Sequence, residues 1–186
     1  MIGPAQQIPG WMSETELNWL AKQARSHWMI CEIGCWRGRS TRCLADNTQG
    51  RICAVDMWAD TMYGFGEDSW WQKEEDLWRK KDWLLREFLK NLGPHIGKTV
   101  APFRISSLEA VQLFRDVFAF DMIFIDADHE YESVRDDILA WKQLLAPGGL
   151  LCGHDFSPDY WTGVIRAVQE LVPGFQTVDT IWWAQP

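Results

Sequence analysis

Strand-length apolar runs recur along the chain, and most of them end on a glycine or an acid. WMICEIG (28–34) closes on Gly34, RICAVDMW (51–58) carries Asp56 near its end, DMIFIDAD (121–128) closes on Asp126 and Asp128, and GGLLCGHD (148–155) closes on His154 and Asp155. VAPFRIS (100–106) is a weaker run, in which Pro102 lacks a ladder donor and predicts an edge position. FQTVDTIWWAQ (175–185) predicts one or two closing strands. Between the runs lie stretches of helical period. Ser13 with Glu16 and Ser106 with Glu109 have capping-box spacing, while Val134, Ile138, Trp141 and Leu145 mark a further helix that Pro147-Gly148-Gly149 ends. Val164, Ile165, Val168 and Leu171 mark another. Strands that are apolar on both faces need cover on both faces, so the pattern predicts an α/β, doubly wound, mostly parallel sheet with helices on each side.

A length of 186 residues suits one domain spanning 1–186. The net charge of −8 speaks against a nucleic-acid partner, because phosphate contacts need clustered Lys and Arg. No apolar run approaches the ~20 residues that cross a bilayer, and MIGPAQQIPGW has no signal-peptide pattern, so no membrane partner and a cytoplasmic location are expected. The five cysteines form no CxxC pair and read as buried free thiols.

The run CEIGCWRGRS (31–40) raises the first functional question. Gly34 and Gly38 follow a strand and precede a helix, a context in which backbone can approach a ligand. The spacing is G-x-x-x-G rather than the G-x-G-x-x-G of dinucleotide binding, and the indole of Trp36 would obstruct a pyrophosphate. Glu32 would repel a pyrophosphate too, yet would welcome an ammonium or sulfonium. Asp56, at the tip of the next strand, stands where a carboxylate can accept ribose hydroxyls.

EIGCWRGRS, AVDMW, and the long segment containing IDADHEY and GGLLCGHD resemble the class I S-adenosylmethionine-dependent methyltransferases. The likeness is to the small bacterial and phage group with I-D-x-x-H-x-Y and G-G-x-x-x-x-H-D segments, similar to macrocin- and catechol-type O-methyltransferases. It implies a seven-stranded Rossmann-like sheet. It also implies that Glu32, Gly34, Trp36, Gly38 and Ser40 hold the methionine end of the cofactor, that Asp56, Met57 and Trp58 hold the ribose, and that Ser106, Ser107 and Leu108 flank the adenine. Asp126 is placed beside the cofactor as well. For Ser106 a plain helix cap explains the residue equally.

Asp126, Asp128, His129, His154 and Asp155 crowd onto two strand tips, and two mechanisms fit them. In one, Asp126, His154 and Asp155 hold a divalent ion while His129, three residues after Asp126, takes the proton from a substrate hydroxyl. His154 stands where the resembled families carry a carboxylate, which shifts preference from Mg²⁺ towards Mn²⁺, Fe²⁺ or Zn²⁺. In the other there is no metal, and His129 or His154 works as a base oriented by an aspartate. Asp136 and Asp137 read as a solvated helix face, Tyr131 as packing, and His27 and His95 as surface residues. Residues 59–97 form a Trp-rich insert, with Trp71, Trp78, Leu85, Phe88 and Leu92 on one helical face, and read either as a lid or substrate wall or as extra core. The expected function is methyl transfer to a hydroxyl of a small molecule. The alternatives are an NAD-dependent oxidoreductase on a related fold and a cofactor-binding module without catalysis. A homo-oligomer is left open.

Overall fold

The computed structural model describes residues 1–59 and 81–186. The stretch TMYGFGEDS and Trp70, Trp71 and Trp78 lie outside the described residues. In chain order the elements are α1 (Gly3–Gln6), α2 (Glu14–Ala24), β1 (Met29–Ile33), α3 (Arg39–Ala45), β2 (Arg51–Asp56), α4 (Trp83–Leu92), β3 (Val100–Arg104), α5 (Ser107–Phe114), β4 (Phe120–Ile125), α6 (Tyr131–Trp141), β5 (Leu145–Gly153), α7 (Thr162–Leu171), β6 (Gln176–Val178) and β7 (Ile181–Ala184). They build a seven-stranded sheet of order β3-β2-β1-β4-β5-β7-β6. The strands β1 to β5 pair in parallel and only β7 runs against its neighbours. The strand carrying Pro102 is an edge strand, as the missing donor requires.

Alternation along each central strand divides the core into two layers. On β4, Met122 and Phe124 face α2, α3 and α4, while Ile123 and Ile125 face α5, α6 and α7. Each central strand is thus covered on both faces, which explains the continuous apolar runs. All five cysteines are buried and free. Both capping boxes are present: Ser13 accepts from the Glu16 amide and Ser106 from that of Glu109, with each glutamate returning to its cap. Among the described residues no helix is long and apolar enough to cross a membrane.

Several expectations need correction. Helix α6 ends at Trp141 and passes through a 3₁₀ turn at Lys142–Leu144, so Pro147-Gly148-Gly149 does not end it. Those three residues lie inside β5, where Phe120 pairs with Leu145 but Met122 with Leu150, and the irregularity houses Gly148 at φ +74. Asp137 is buried, not solvated: it accepts the Ser107 hydroxyl, and Trp141 Nε1 donates to the same hydroxyl at 2.8 Å. His95 is mostly buried and bonds Asp46 at 2.8 Å, and His27 is half-buried against the Gln23 carbonyl, so neither is a surface residue. Tyr131 packs as expected, with its hydroxyl on Glu170 at 2.6 Å and Arg166 over its ring.

Candidate active site

The chain order of the strands reverses between β1 and β4, so the crevice for a ligand opens outside their carboxyl ends. The tip of β1 delivers the glycine loop there. Asp56, at the end of β2, fixes that loop: its Oδ2 accepts the backbone N–H groups of Cys35 and Trp36, each at 2.8 Å, and its Oδ1 accepts from Trp58 N–H at 2.6 Å. A carboxylate oxygen takes two donors, so Oδ1 keeps capacity for one more. Burial raises the Asp56 carboxyl above its ordinary range, and the three backbone donors oppose that rise.

Glu32 is fully buried on β1, and neither of its carboxylate oxygens has a hydrogen-bond partner of normal geometry. Burial pushes its pKa up to about 8; the nearby Ser40 and Thr41 hydroxyls offset this only in part, while Asp126 and Asp56 reinforce it. An acid in this condition is short of a cation. Three carboxyl groups, Glu32, Asp56 and Asp126, therefore act on one another across the tips of β1, β2 and β4.

The glycines do something narrower than expected. At Gly34 (φ +84) a Cβ would stand 2.0 Å from the Asp126 carbonyl oxygen, so the missing side chain lets β1 meet β4. At Gly38 (φ +87) it would stand 2.3 Å from Leu92 and 3.0 Å from Phe88, so the missing side chain makes room for α4. Trp58 is fully buried against Phe88, with ring centroids 4.6 Å apart, and its Nε1 donates to the Trp36 carbonyl at 2.9 Å, so its side chain is a strut under the loop. Trp36 itself is half-buried and packs at a tilt against Trp11, with ring centroids 4.9 Å apart. The Trp11 segment is held there by Arg39, which donates to the Ile8 and Met12 carbonyls.

An open cavity of about 470 Å³ lies between the tips of β2 and β3, lined by Met57, Ala59, Arg104, Ile105, Ser106 and Glu109. Met57 and Leu108 are 58% and 46% exposed, apolar side chains left free to flank a flat ring. The Ser106 hydroxyl is a helix cap and donates to Glu109; the Ser107 hydroxyl is engaged by Asp137 and Trp141. What these serines can offer a ligand is therefore mainly backbone.

At the tips of β4 and β5 the structure brings Asp126, His129, His154 and Asp155 together. His129 Nε2 lies 2.8 Å from Asp155 Oδ2, and its ring stacks on Trp161 with centroids 4.0 Å apart. Burial lowers the His129 pKa, but the bond and charge of Asp155 outweigh it and the net shift is upward. His154 is buried, with Nδ1 3.5 Å from Asp126 Oδ1 and 3.3 Å from Asp155 Oδ2. Burial opposes its charge, yet the carboxylates of Asp126, Asp155 and Glu16 hold its pKa far above the ordinary value. Asp155 adopts φ +63. Trp36 and Trp58, at φ 44 and φ 39, share that left-handed region, so three strained residues sit on this one edge of the sheet. Asp128 is absent from the cluster: it accepts the amides of His129 and Glu130 and caps the loop into α6.

Asp126, His154 and Asp155 offer ligand atoms that lie within 4.8 Å of one another. Two donors about 2.1 Å from an ion stand roughly 3.0–3.4 Å apart, close to the separations observed from His154 Nδ1. Two carboxylates and an imidazole thus fit a divalent ion. Sequence reasoning missed one participant, Glu16, whose Oε1 stands 3.1 Å from His154 Nε2. Its capping-box spacing had accounted for it already, and no local signal ties residue 16 to residue 154.

The family described as a methyltransferase domain matches residues 31–156. No curated protein matches the chain at a significant level. Among solved structures, the fold is similar to cofactor-bound Rv0187 from MTB, with a TM-score of 0.68, 18% identity, and coverage of 98% of this chain and 85% of that one. It is similar to the O-methyltransferase from Bacillus cereus in complex with SAH, with a TM-score of 0.66, 20% identity, and coverage of 98% and 86%. It is also similar to CalS11, a TDP-rhamnose 3'-O-methyltransferase of calicheamicin biosynthesis, with a TM-score of 0.58, 12% identity, and coverage of 91% and 77%.

Proposed function

The chain belongs to the methyltransferase-domain family, and on that premise we propose that it moves a methyl group from S-adenosylmethionine to a hydroxyl oxygen of a small molecule, of a sugar or natural-product type, with His129 as the base. The observation that carries this reading is the acidic crevice at the switch point. A pyrophosphate would gain nothing from Glu32, Asp56 and Asp126 and would oppose their ionisation, whereas a ligand bearing an ammonium and a sulfonium favours their ionised forms and meets them as partners. This favours the sulfonium cofactor over a nicotinamide dinucleotide. Two solved structures of the same fold, an O-methyltransferase in complex with SAH and a TDP-rhamnose 3'-O-methyltransferase, support the cofactor and the acceptor class.

In this reading the glycine loop and Glu32 receive the amino-acid end of the cofactor, and Asp56 Oδ1 takes one ribose hydroxyl. The adenine lies between Met57 and Leu108 in the cavity beside Ser106. Transfer is an in-line displacement: the acceptor oxygen attacks the methyl carbon, the carbon–sulfur bond breaks, and S-adenosylhomocysteine leaves with the electron pair. His129 removes the hydroxyl proton. With Nε2 donating to Asp155, the nitrogen that keeps a lone pair is Nδ1, and Trp161 fixes the plane of the ring. If Asp126, His154 and Asp155 hold a divalent ion, it supplies a lowered pKa to the acceptor hydroxyl. The direct test is transfer of labelled methyl from S-adenosylmethionine to a panel of sugars and phenols; label appearing on amines alone would contradict the hydroxyl assignment.

Two consequences follow from the residues around the cofactor. Asp56→Ala removes the acceptor for three loop amides and is expected to weaken S-adenosylhomocysteine binding at least tenfold, a loss of about 1.4 kcal/mol or more. Unchanged affinity in calorimetry removes Asp56 from the site. Glu32 is mostly protonated at pH 7 because burial raises its pKa to about 8. A cationic ligand requires the ionised form, so binding should release a proton, and affinity should rise with pH, by up to about tenfold per unit, until about pH 8 and then level. Calorimetry in buffers of different ionisation enthalpy measures that proton; identical heats in all buffers would contradict it.

A further inference from the structure

Helix α2 opens with a capping box that accounts for only half of Glu16. Its Oε2 accepts the Ser13 amide at 2.7 Å, as a box requires. Its Oε1 points the other way, into the strand tips, where it accepts the Thr180 amide at 3.0 Å, the Thr180 hydroxyl at 2.6 Å and His154 Nε2 at 3.1 Å. Thr180 Oγ1 is itself 3.0 Å from His154 Nε2. The turn between β6 and β7 that carries Thr180 is tied down twice more: Ser13 Oγ bonds Asp179 Oδ2 at 2.7 Å, and the Phe156 amide donates to the Thr180 carbonyl at 2.9 Å. Glu16 and His154 are both buried. Burial alone would raise the Glu16 carboxyl, but the His154 bond and charge win and carry its pKa down to about 2.

A carboxylate on one nitrogen of a buried imidazole determines what the other nitrogen can do. With Nε2–H donating to Glu16, the nitrogen that faces Asp126 and Asp155 is Nδ1, and it is the Nδ1 proton that an incoming cation would displace to gain a lone pair. This is the arrangement in which a histidine ligates a metal through one nitrogen while a carboxylate holds the other. We propose that Glu16 and Thr180 are positioning residues that set the tautomer and orientation of His154, so that Nδ1 joins Asp126 and Asp155 in binding a divalent transition ion. The proposal rests on the ion-assisted form of the function above. It gives helix α2 and the last hairpin, which bear no residue assigned to the cofactor site, a part in the chemistry. It also accounts for a histidine surviving between two carboxylates: a nitrogen donor selects Mn²⁺, Fe²⁺ or Zn²⁺ over Mg²⁺.

The test is a titration of the full-length protein, without cofactor, with Mn²⁺ alone, read by loss of the free-ion paramagnetic signal. Wild type is expected to take up one ion. Glu16→Gln keeps a side chain able to cap α2 but removes the charge on Nε2, and should weaken Mn²⁺ by about 10–100-fold, the usual effect of losing an outer-sphere partner. Thr180→Val keeps Glu16 and the volume of the side chain, and should weaken Mn²⁺ in the same direction by a smaller factor; it serves if Glu16→Gln does not fold. His154→Asp should narrow the preference for Mn²⁺ over Mg²⁺. Mn²⁺ affinities equal to wild type in both positioning variants overturn the proposal, as does a wild-type protein that takes up no Mn²⁺. A parallel titration with S-adenosylhomocysteine separates the two readings: cofactor bound without Mn²⁺ uptake sinks this inference alone, whereas failure to bind either sinks the methyltransferase site as well.

Discussion

Replacing His129 with Ala should lower turnover by about 10²–10⁴-fold, the usual contribution of a positioned base, while S-adenosylhomocysteine affinity stays within about twofold of wild type. The separation of the two effects is what identifies a base. The side chain of His129 bonds Asp155 and stacks on Trp161, neither of which is assigned to the cofactor. Its loss leaves Asp155 with a partner, because His154 Nδ1 remains 3.3 Å away, so the fold should survive. Turnover retained within a few fold would place the base elsewhere, with His154 the next residue to replace.

The second large effect is on stability. At Gly34 a side chain would have to occupy space 2.0 Å from the Asp126 carbonyl oxygen and 2.6 Å from the Ala127 Cα, both of them backbone. No rotamer relieves such contacts, and the residue holds φ +84 besides. Left-handed backbone costs an alanine about 1–2 kcal/mol and forced overpacking about 1–3 kcal/mol more. Gly34→Ala should therefore lose about 3 kcal/mol or more, and for a chain of this size a thermal midpoint falls roughly 2–4 °C per kcal/mol. Gly97→Ala is the control, since its φ is +75 but a Cβ there meets nothing within 4 Å. It should lose only the backbone part. Equal midpoints for the two variants would show that strain, not the contact between β1 and β4, sets the requirement at Gly34.

The contrast between these glycines shows how far the sequence could be read. Continuous apolar runs reveal strands sealed on both faces, and from them the α/β sheet and the edge position of the strand with Pro102 followed. Acids and histidines at the ends of those runs could be placed on one edge because strand ends coincide with run ends. Side-chain partners across the chain could not. Gly38 and Trp58 lie in a motif that resembles a cofactor loop, yet their bulk or lack of it is matched to Phe88 and Leu92 on α4, 30 to 54 residues away. Asp137 sits among charged residues on α6 and reads as solvated, but the neighbouring α5 brings the Ser107 hydroxyl onto it and closes water out. Glu16 failed for a related reason: one local motif explained it fully, so nothing in the sequence asked for a second partner. Pro147-Gly148-Gly149 looked like a helix stop because the same residues serve a strand irregularity equally well.

The cofactor site can be tested most directly by titrating the wild-type protein with S-adenosylhomocysteine in a calorimeter, alongside NADH as a comparison. A sulfonium-type site built on Glu32 and Asp56 predicts one molecule bound per chain with a micromolar dissociation constant, about −8 kcal/mol, and no heat from NADH. Binding of NADH in place of S-adenosylhomocysteine, or heat from neither, would contradict the assignment of the crevice.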